Sequence, residues 1–291
     1  MKPGPGLPYD RWSARCVAGL LRVLCLLPFR ARMQAGRWIG LLICRFNKEA
    51  HKSATRNISR AFSDKNKQQV QQLARRSLEH LGYSIAEFAT SLYSSDRSYS
   101  HRIKFKNQQH LDDAFARGRG VLLIMPNNSV LDICLQATAS KWPLAAMYSR
   151  VEGEFEALLT KQRKLHLQTL IPNDNVRAMV RSLQRGDIVF YSPDRAVPRS
   201  LGGRPFRLFG LPVLTTTATA RMAHLSGAAI VPVAAQRDVE NGHYLVCFEP
   251  ELDTTQGVDQ LTQSINDCFE RQILRCPEQY NWGGGRFKSP Y

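Results

Sequence analysis

The chain has 291 residues, with 40 lysines and arginines against 24 aspartates and glutamates, and therefore a net charge of +16. This length suits one large domain or two small ones with a substantial core. The charge surplus predicts a polyanionic partner, either a nucleic acid or an anionic membrane surface with phosphorylated lipid. The seven cysteines are odd in number and form no C-x-x-C pair, which argues against a disulfide scaffold and predicts reduced thiols and no metal site.

Two apolar runs stand near the N-terminus, at Cys16–Pro28 and Trp38–Cys44. Each run is shorter than the ~20 residues that cross a bilayer, and arginines surround both. We therefore predict an N-terminal membrane-anchoring helical segment over residues 1–50, a helical hairpin or an interfacial anchor with arginines on anionic phosphates. A tilted single span and a soluble helix pair are the alternatives. No small-residue cleavage site is evident, which argues against a secretory signal.

A helical segment that packs on the core is predicted for residues 51–107. Its main element is a long amphipathic helix from Lys67 to Tyr93, whose apolar residues recur at helical spacing. A basic linker, Arg97–Lys106, then leads to an α/β domain predicted for residues 108–291.

The α/β domain is organised around the stretch from Gly118 to Asp132. Gly120–Met125 is a short apolar run between a glycine and a proline, which predicts a buried strand. Ser129 is predicted to cap the following helix. The inner face of that helix is predicted to carry Val130, Ile133, Cys134 and Ala137.

Polar residues lie between this strand and this helix. The carboxyl end of a buried strand, where it opens onto a helix N-terminus, is a common place for a site in α/β proteins. The sequence therefore predicts a site here. Its polar residues are Asn127, Asn128, Ser129 and Asp132.

Strands and helices alternate along the rest of the chain, which predicts an α/β fold with a mixed central sheet flanked by helices. A Gly/Pro-rich loop is predicted at Gly202–Pro212, and a turn at Thr215–Thr217 that opens a helix ending at Leu225. The other predicted helices are Glu152–Leu165, Asn173–Gln184 and Val258–Leu274. The predicted strands are Leu144–Tyr148, His166–Ile171, Asp187–Tyr191, Ala228–Ala234 and Tyr244–Phe248.

Several stretches together resemble the late acyltransferases of lipid A biosynthesis, within the lysophospholipid acyltransferase superfamily. They stand in the order of that family and span essentially the whole chain. The matching stretches are Asn57-x-x-x-x-Phe62, the strand and turn that lead to Asp132, Met147–Arg150, Ser192–Asp194, Thr215–Thr217, Arg221–Ala229, Pro277–Trp282 and Arg286–Lys288.

The resemblance implies a catalytic pair. In the family, a histidine deprotonates the acceptor hydroxyl, and an acid five positions later orients its ring. The acid matches as Asp132, but Asn127 stands where the family has its histidine, and an amide takes no proton at pH 7. Our hypothesis is that Asp132 acts as the base, with its pKa raised by burial, and that Asn127 donates a hydrogen bond to a developing oxyanion. The alternatives are a carboxylate that interacts with the helix dipole and an amide that shapes a turn.

None of five other histidines is assigned as a replacement for the missing one, because none has an acid at a useful spacing or a clear place at the site. They are His80, His110, His166, His224 and His243.

The resemblance also implies side chains that bind substrate. Arg150 follows a strand and is predicted to clamp a phosphate of the lipid or of the carrier's pantetheine arm. Asp194 ends a strand at the same sheet edge, and Arg221 lies on a helix beside the threonine turn. Arg286 and Lys288 are predicted to meet phosphate or membrane. The alternatives are a surface ion pair for Arg150, a structural role for Arg221 and a solvated tail for the last two.

These features predict a transferase at the cytoplasmic face of the bacterial inner membrane. It would move a fatty acyl group, or an aminoacyl group such as glycyl, from a carrier-protein thioester to a hydroxyl of lipid A or its precursor. No metal or redox cofactor is implied. One branch that resembles the family transfers glycine, and loss of the histidine would suit such an enzyme, with antimicrobial peptide resistance as the associated trait.

Two other classes of protein compete with the transferase. The first is a catalytically inactive lipid-binding or scaffold protein of the same fold, which Asn127 and the tail Gly283–Gly285 favour. The second is a nucleic-acid binder, which the net positive charge permits. However, the sequence shows no basic stretch with interspersed aromatic residues and no known nucleic-acid-binding motif. We therefore expect a membrane and phosphorylated glycolipid as partners and no nucleic acid.

Overall fold

The structure is a computed structural model that describes residues 11–93, 100–148, 160, 163–164 and 166–287. Its N-terminal part is helical, and the long amphipathic helix has the predicted bounds. None of the helices in these ranges combines the length and the apolar character needed to cross a membrane. These helices are α1 Arg11–Leu26, α2 Phe29–Phe46, α3 Lys48–Ala61 and α4 Lys67–Tyr93.

Three glycines allow α2 and α4 to pack at very short range. Gly36 and Gly40 on α2 face Gly82 on α4. A Cβ atom on Gly82 would lie 2.1 Å from the carbonyl oxygen of Gly36, and one on Gly40 would lie 2.4 Å from the carbonyl oxygen of Leu78. Glycine therefore lets the two backbones touch, and α2 is held against the rest of the molecule through α4.

The centre of the molecule is a seven-stranded mixed sheet with the order β1-β9-β8-β2-β5-β3-β4. β8, β2, β5, β3 and β4 are parallel, whereas β9 pairs with β8 in antiparallel orientation and β1 pairs parallel with β9. This confirms the predicted mixed sheet. The strands of this sheet are β1 Ile103–Lys106, β2 Val121–Ile124, β3 Leu144–Tyr148, β4 Thr169–Pro172, β5 Ile188–Tyr191, β8 Ala229–Asp238 and β9 His243–Phe248.

Helices cover both faces of the sheet, and a separate hairpin completes the fold. The hairpin consists of β6 Gly203–Leu208 and β7 Leu211–Thr216. The helices are α5 Gln109–Ala116, α6 Leu131–Ala139, α7 Val176–Gln184, α8 Ala218–Ser226 and α9 Val258–Arg275.

β2 lies in the middle of the sheet, as its apolar run predicted. All four of its residues are fully buried, because helices cover both faces and β8 and β5 flank both edges. Gly120, just before the strand, has a φ of +77°, and a Cβ atom there would lie 2.2 Å from the carbonyl oxygen of Leu183. This position therefore requires glycine. The predicted inner face is also confirmed, because Ile133, Cys134 and Ala137 of α6 are buried, and Val130, at the N-cap position of this helix, is buried as well.

The predicted cap at Ser129 is wrong. α6 begins one residue later, at Leu131, and its N-cap position, Val130, makes no side-chain cap. Instead, Asn128 Oδ1 accepts a hydrogen bond from the Val130 N–H at 3.0 Å. The Ser129 N–H donates to the carbonyl oxygen of Gln279 at 2.7 Å, so this residue joins the turn to the C-terminal segment rather than to the helix.

The predicted loop at Gly202–Pro212 is also wrong, because this segment forms most of the β6–β7 hairpin. Phe209 and Gly210 make its two-residue turn, with φ values of +54° and +68°. Two positive φ values are what a tight hairpin of right-handed twist requires. Thr215 and Thr216 consequently belong to β7 rather than to a turn.

The end of the predicted basic linker is a strand, because β1 pairs with β9 at the sheet edge. Its two lysines alternate with Ile103 and Phe105, and so point away from the core. The predicted helix Glu152–Leu165 lies almost wholly outside the described residues. The remaining predicted helices and strands are present with shifts of a few residues at their ends.

Candidate active site

A cavity of about 450 Å³ opens where β2, β3, β4 and β5 end. The four strands are parallel, so their carboxyl ends meet at one edge of the sheet. We call this space the main cavity. Its polar and charged wall residues are Asn127, Asp132, Tyr148, Arg163, Asn173, Tyr191, Ser192, Asp194, Arg195 and Thr216. Its apolar wall residues include Leu131, Leu135, Met147, Leu167, Leu170 and Phe190.

Asp132 lies in the first turn of α6 and faces the main cavity, with 32% of its side chain exposed. Burial among the surrounding groups raises the pKa of this carboxyl, and the nearby Arg163 guanidinium partly opposes that rise. Arg163 Nη2 lies 3.8 Å from Asp132 Oδ1. The sequence hypothesis required a carboxylate whose pKa is raised by burial, and the structure places one at the cavity wall.

Asn127 is held through its main chain. Its N–H donates to Asp194 Oδ2 at 3.0 Å, and its carbonyl oxygen accepts from the Asn281 N–H at 3.0 Å. Its half-buried side chain lies between the main cavity and a smaller space of about 300 Å³, which we call the recess. Nδ2 of Asn127 is 3.9 Å from the position that a Cβ atom on Gly284 would take. The glycine tail therefore leaves room beside this amide.

Asp194 and Arg286 form a buried pair under the same edge. Arg286 Nε lies 3.0 Å from Asp194 Oδ1, and the two side chains are 3% and 0% exposed. The remaining guanidinium donors of Arg286 are directed into the protein: to the carbonyl oxygen of Leu214 at 2.9 Å, to Thr215 Oγ1 at 2.9 Å and to Asn266 Oδ1 at 2.8 Å. Such an enclosed guanidinium is structural in this conformation, which disfavours the predicted contact of Arg286 with phosphate.

Asp194 does border both cavities, but its carboxylate is used by the protein. It accepts from the Asn127 N–H and is paired with Arg286. The Tyr280 hydroxyl also hydrogen-bonds it, and burial, followed by the Asp194 charge, raises the pKa of Tyr280. Asp194 therefore positions Asn127 and the C-terminal segment, whereas its predicted contact with substrate stays a prediction.

The other predicted substrate-binding residues are not brought to the cavity by the described structure. Arg221 lies on α8 with an exposed side chain and is absent from the walls of both cavities. Arg150 and Lys288 lie outside the described residues. Arg163 and Arg195, which were not predicted, are the guanidinium-bearing residues found on the walls of the main cavity in the described part of the chain.

A buried ion pair behind the turn was not predicted either. Arg237 on β8 binds Glu87 on α4 through two hydrogen bonds, and both side chains are 1% exposed. The Tyr244 hydroxyl donates to Glu87 Oε1 at 2.8 Å. Arg237 Nη2 donates to the carbonyl oxygen of Ser129 at 3.1 Å, and Nη1 donates to Ser129 Oγ at 3.2 Å. This network connects α4, the sheet and the turn that carries Asn127.

His80 completes that network as an acceptor. Its Nδ1 lies 2.8 Å from Arg237 Nη1. Burial, followed by the positive charge of Arg237, lowers the pKa of His80 to about 3. The ring is therefore neutral near pH 7, and Nδ1 can accept the Arg237 hydrogen bond. Since His80 is enclosed in this network, it does not replace the histidine missing at position 127.

A narrow groove of about 30 Å³ runs beside the main cavity. Asp132, Leu135, Arg163 and Leu167 line both spaces. The groove is otherwise walled by residues of α4 and α6 and by His166. His166 thus shares a wall with Asp132, but it is not part of the main cavity.

A mixed α/β sheet with a cavity at the carboxyl edge of its parallel strands, lined by polar and charged side chains, is the usual arrangement of a ligand site in an α/β protein. The profile of the bacterial lipid A biosynthesis acyltransferase family matches residues 8–289. The chain belongs to this family, and it is an acyltransferase of lipid A biosynthesis.

Proteins similar to this chain are also acyltransferases of lipid A biosynthesis by name. The lipid A biosynthesis lauroyltransferase of Escherichia coli strain K12 is 26% identical over 283 residues, which cover 96% of this chain and 92% of that protein. The palmitoleoyltransferase of the same strain is 25% identical over 282 residues, with the same coverage of 96% and 92%. A lipid A biosynthesis acyltransferase of Haemophilus influenzae strain Rd is 22% identical over 272 residues, which cover 90% and 83%. These similarities do not support the alternative of an inactive scaffold.

Proposed function

We propose that this acyltransferase moves a fatty acyl group, or an aminoacyl group such as glycyl, from a carrier-protein thioester to a hydroxyl of lipid A or its precursor. The reaction takes place at the cytoplasmic face of the bacterial inner membrane. The observation that carries the proposal is the placement of Asp132 in the main cavity, with its pKa raised by burial. A carboxylate whose pKa is raised takes a proton from a hydroxyl more readily than a carboxylate of ordinary pKa.

The proposed step uses Asp132 as the proton acceptor. Its carboxylate takes the proton as the acceptor oxygen attacks the thioester carbonyl carbon, which forms the new C–O bond. The C–S bond then breaks, and the proton passes from Asp132 to the departing thiolate sulfur. The products are the acylated lipid and the free carrier thiol, so atoms and charge balance without a further reactant. The positive charge of Arg163 opposes the rise in the pKa of Asp132 and so favours its ionised form.

Asn127 is the proposed donor to the oxyanion that forms during attack. Its main-chain N–H is occupied by Asp194, so the side-chain amide supplies the donor. That side chain borders both cavities. A preorganised donor aimed at developing negative charge is worth about 2.7–4 kcal/mol in known enzymes. The recess beside the amide, left open by Gly284, would also accommodate a small polar group such as the amino group of a glycyl donor.

The N-terminal helices are the proposed membrane contact. Their outer surfaces expose large apolar residues on α1 and α2, and Arg22 and Arg45 lie near these residues in the chain. Apolar side chains flanked by arginines favour binding at the headgroup region of an anionic bilayer. These exposed residues are Leu20, Val23, Leu26, Trp38, Leu42 and Phe46.

Replacing Trp38, Leu42 and Phe46 together with serine is expected to release the protein from anionic phospholipid vesicles. The three side chains are 54–73% exposed and lie four residues apart on α2, so they form one stripe whose removal leaves the core intact. Loss of this apolar area should reduce the vesicle-bound fraction at least tenfold in a sedimentation assay.

A matched control replaces Leu225 and Leu274 with serine. These residues are 68% and 51% exposed, but they lie on α8 and α9. The control should bind vesicles as the wild type does. Equal binding by wild type, stripe variant and control would remove α2 from the proposed membrane contact.

Mass spectrometry of lipid A from cells with and without the gene tests the transfer itself. The deletion strain should lose one lipid A species, and the gene on a plasmid should restore it. A mass difference of one glycyl group would select an aminoacyl donor, and that of a C12 or C14 chain would select a fatty acyl donor. The Asp132→Asn gene serves as the control and should not restore the species. An unchanged lipid A profile in the deletion strain would contradict the proposal.

A further inference from the structure

The walls of the main cavity and the recess carry an unbalanced positive charge. In the described structure they include three guanidinium groups, from Arg163, Arg195 and Arg286, and two carboxylates, from Asp132 and Asp194. Arg286 is paired with Asp194, and Arg163 lies beside Asp132. This leaves the charge of Arg195 without an opposite charge on these walls.

Arg195 stands where the two spaces meet. It follows β5 and directly succeeds Asp194, and it lines both the main cavity and the recess. Its N–H donates to the carbonyl oxygen of Pro193 at 2.9 Å, and its own carbonyl oxygen accepts from Arg286 Nη1 at 3.4 Å. The backbone is therefore held in place while the side chain is exposed. Among the described residues, none forms an ion pair with this guanidinium.

We propose that Arg195 binds a phosphate group of a substrate at the mouth of the active site. The proposal rests on the function proposed above and names the residue that recognises substrate charge. A guanidinium presents a planar fork of donors that matches two phosphate oxygens. Because the Arg195 guanidinium is exposed and, among the described residues, unpaired, it can bind phosphate without first breaking an ion pair within the protein. The phosphate belongs either to the lipid acceptor or to the phosphopantetheine arm of the carrier.

This assignment accounts for the positions of the other arginines. Arg286 is enclosed by protein acceptors, and Arg221 is absent from both cavity walls. Arg163 is placed to act on the Asp132 carboxyl. Arg195 is consequently the described residue with a cationic group at the cavity that remains available to an anionic ligand.

The test compares Arg195→Ala, Arg195→Lys and the control Arg199→Ala in the full chain. Arg199 is exposed in the same segment, only four residues on, but it lines neither space. The first measurement is the Kd for micelles of bisphosphorylated lipid A and of the same lipid after removal of its phosphates. The second is the KM for a carrier-bound thioester and for a pantetheine thioester that lacks the phosphate.

If the lipid supplies the phosphate, Arg195→Ala should weaken binding of phosphorylated lipid A about 10- to 100-fold and leave binding of dephosphorylated lipid A unchanged. If the carrier supplies the phosphate, Arg195→Ala should raise the KM for the carrier-bound thioester by the same factor and leave the KM for the phosphate-free thioester unchanged. Arg195→Lys should recover part of the loss, because it keeps the charge without the fork. Arg199→Ala should behave as the wild type in each measurement.

The inference is overturned if Arg195→Ala matches Arg199→Ala in both measurements, or if it weakens phosphorylated and phosphate-free ligands equally. The lipid-binding measurement requires no turnover. Phosphate-dependent lipid binding through Arg195 in a protein that transfers no acyl group would therefore refute the proposed function and leave the Arg195 site intact.

Discussion

Asp132→Asn is expected to lower kcat/KM for acyl transfer about 10²–10⁴-fold, the usual cost of losing a general base. The substitution keeps the size of the side chain but removes its ability to take a proton. Because the Asp132 side chain is 32% exposed and its ion-pair partner, Arg163 Nη2, lies 3.8 Å from its carboxylate, the fold should tolerate the amide. Initial rates with a thioester donor and a lipid A acceptor measure the effect.

Asp132→Asn should be at least as stable as the wild type. At pH values above the pKa of the Asp132 carboxyl, the variant should be slightly more stable. Burial raises the pKa of Asp132 in the folded state, which means that folding disfavours its charged form. At pH 7 this carboxylate therefore costs stability, and its removal relieves that cost. A Tm equal to or above that of the wild type, together with the loss of activity, would separate a functional role from a structural one.

Asp113→Asn is the matched control, because Asp113 is an exposed aspartate on α5 that lines neither the main cavity nor the recess. It should retain wild-type activity. The pH profile adds an independent check, since kcat/KM should fall as pH decreases through the raised pKa of Asp132. Arg163→Gln removes the charge that lowers this pKa and should move that acid limb to higher pH. Full activity of Asp132→Asn, or an acid limb unmoved by Arg163→Gln, would exclude Asp132 as the base.

Patterns of local apolar residues predicted most of the architecture. β2, the long helix α4 and the inner face of α6 each follow from periodicity within one segment, and each was found as predicted. The hairpin β6–β7 was missed because glycine and proline, which usually indicate a loop, here lie in its strands and turn. The turn depends on a positive φ at Phe209, and the residue type at this position does not indicate such a backbone conformation.

Side-chain partners distant in the chain could not be predicted from one sequence. Asp194 and Arg286 were both predicted to bind substrate, but nothing in the pattern indicates that they pair with each other and are buried. Glu87 and Arg237 are 150 residues apart and look like ordinary surface positions of a helix and a strand end. Conversely, Arg195 was not predicted as a site residue, since its place on the walls of two cavities depends on how the strands come together.

The buried pair of Glu87 and Arg237 gives the largest expected effect on stability. Arg237→Met should reduce the free energy of unfolding by about 3–5 kcal/mol, because it leaves the Glu87 carboxylate buried without its counter-charge. The Tyr244 hydroxyl remains as a donor to Glu87, but one neutral donor does not replace a guanidinium. Urea unfolding at pH 7, followed by circular dichroism, measures the loss.

An exposed ion pair provides the control. Arg204 and Asp259 are 50% and 53% exposed, so Arg204→Met should cost at most about 1 kcal/mol. Glu87→Leu combined with Arg237→Met removes both buried charges. The double variant should therefore be more stable than the sum of the two single changes predicts, by up to about 3 kcal/mol. Strict additivity would show that the two side chains do not stabilise the fold as a pair.

The same network should link stability to catalysis, because Arg237 also holds the turn before α6. Its guanidinium donates to both the carbonyl oxygen and the hydroxyl of Ser129, two residues after Asn127. The double variant restores charge balance but cannot restore these two hydrogen bonds. We therefore expect it to remain folded and yet to lose activity, with kcat reduced more than the KM for the donor is raised. Wild-type kcat in a folded double variant would show that Ser129 and the hydrogen bonds from Arg237 are not needed to position Asn127.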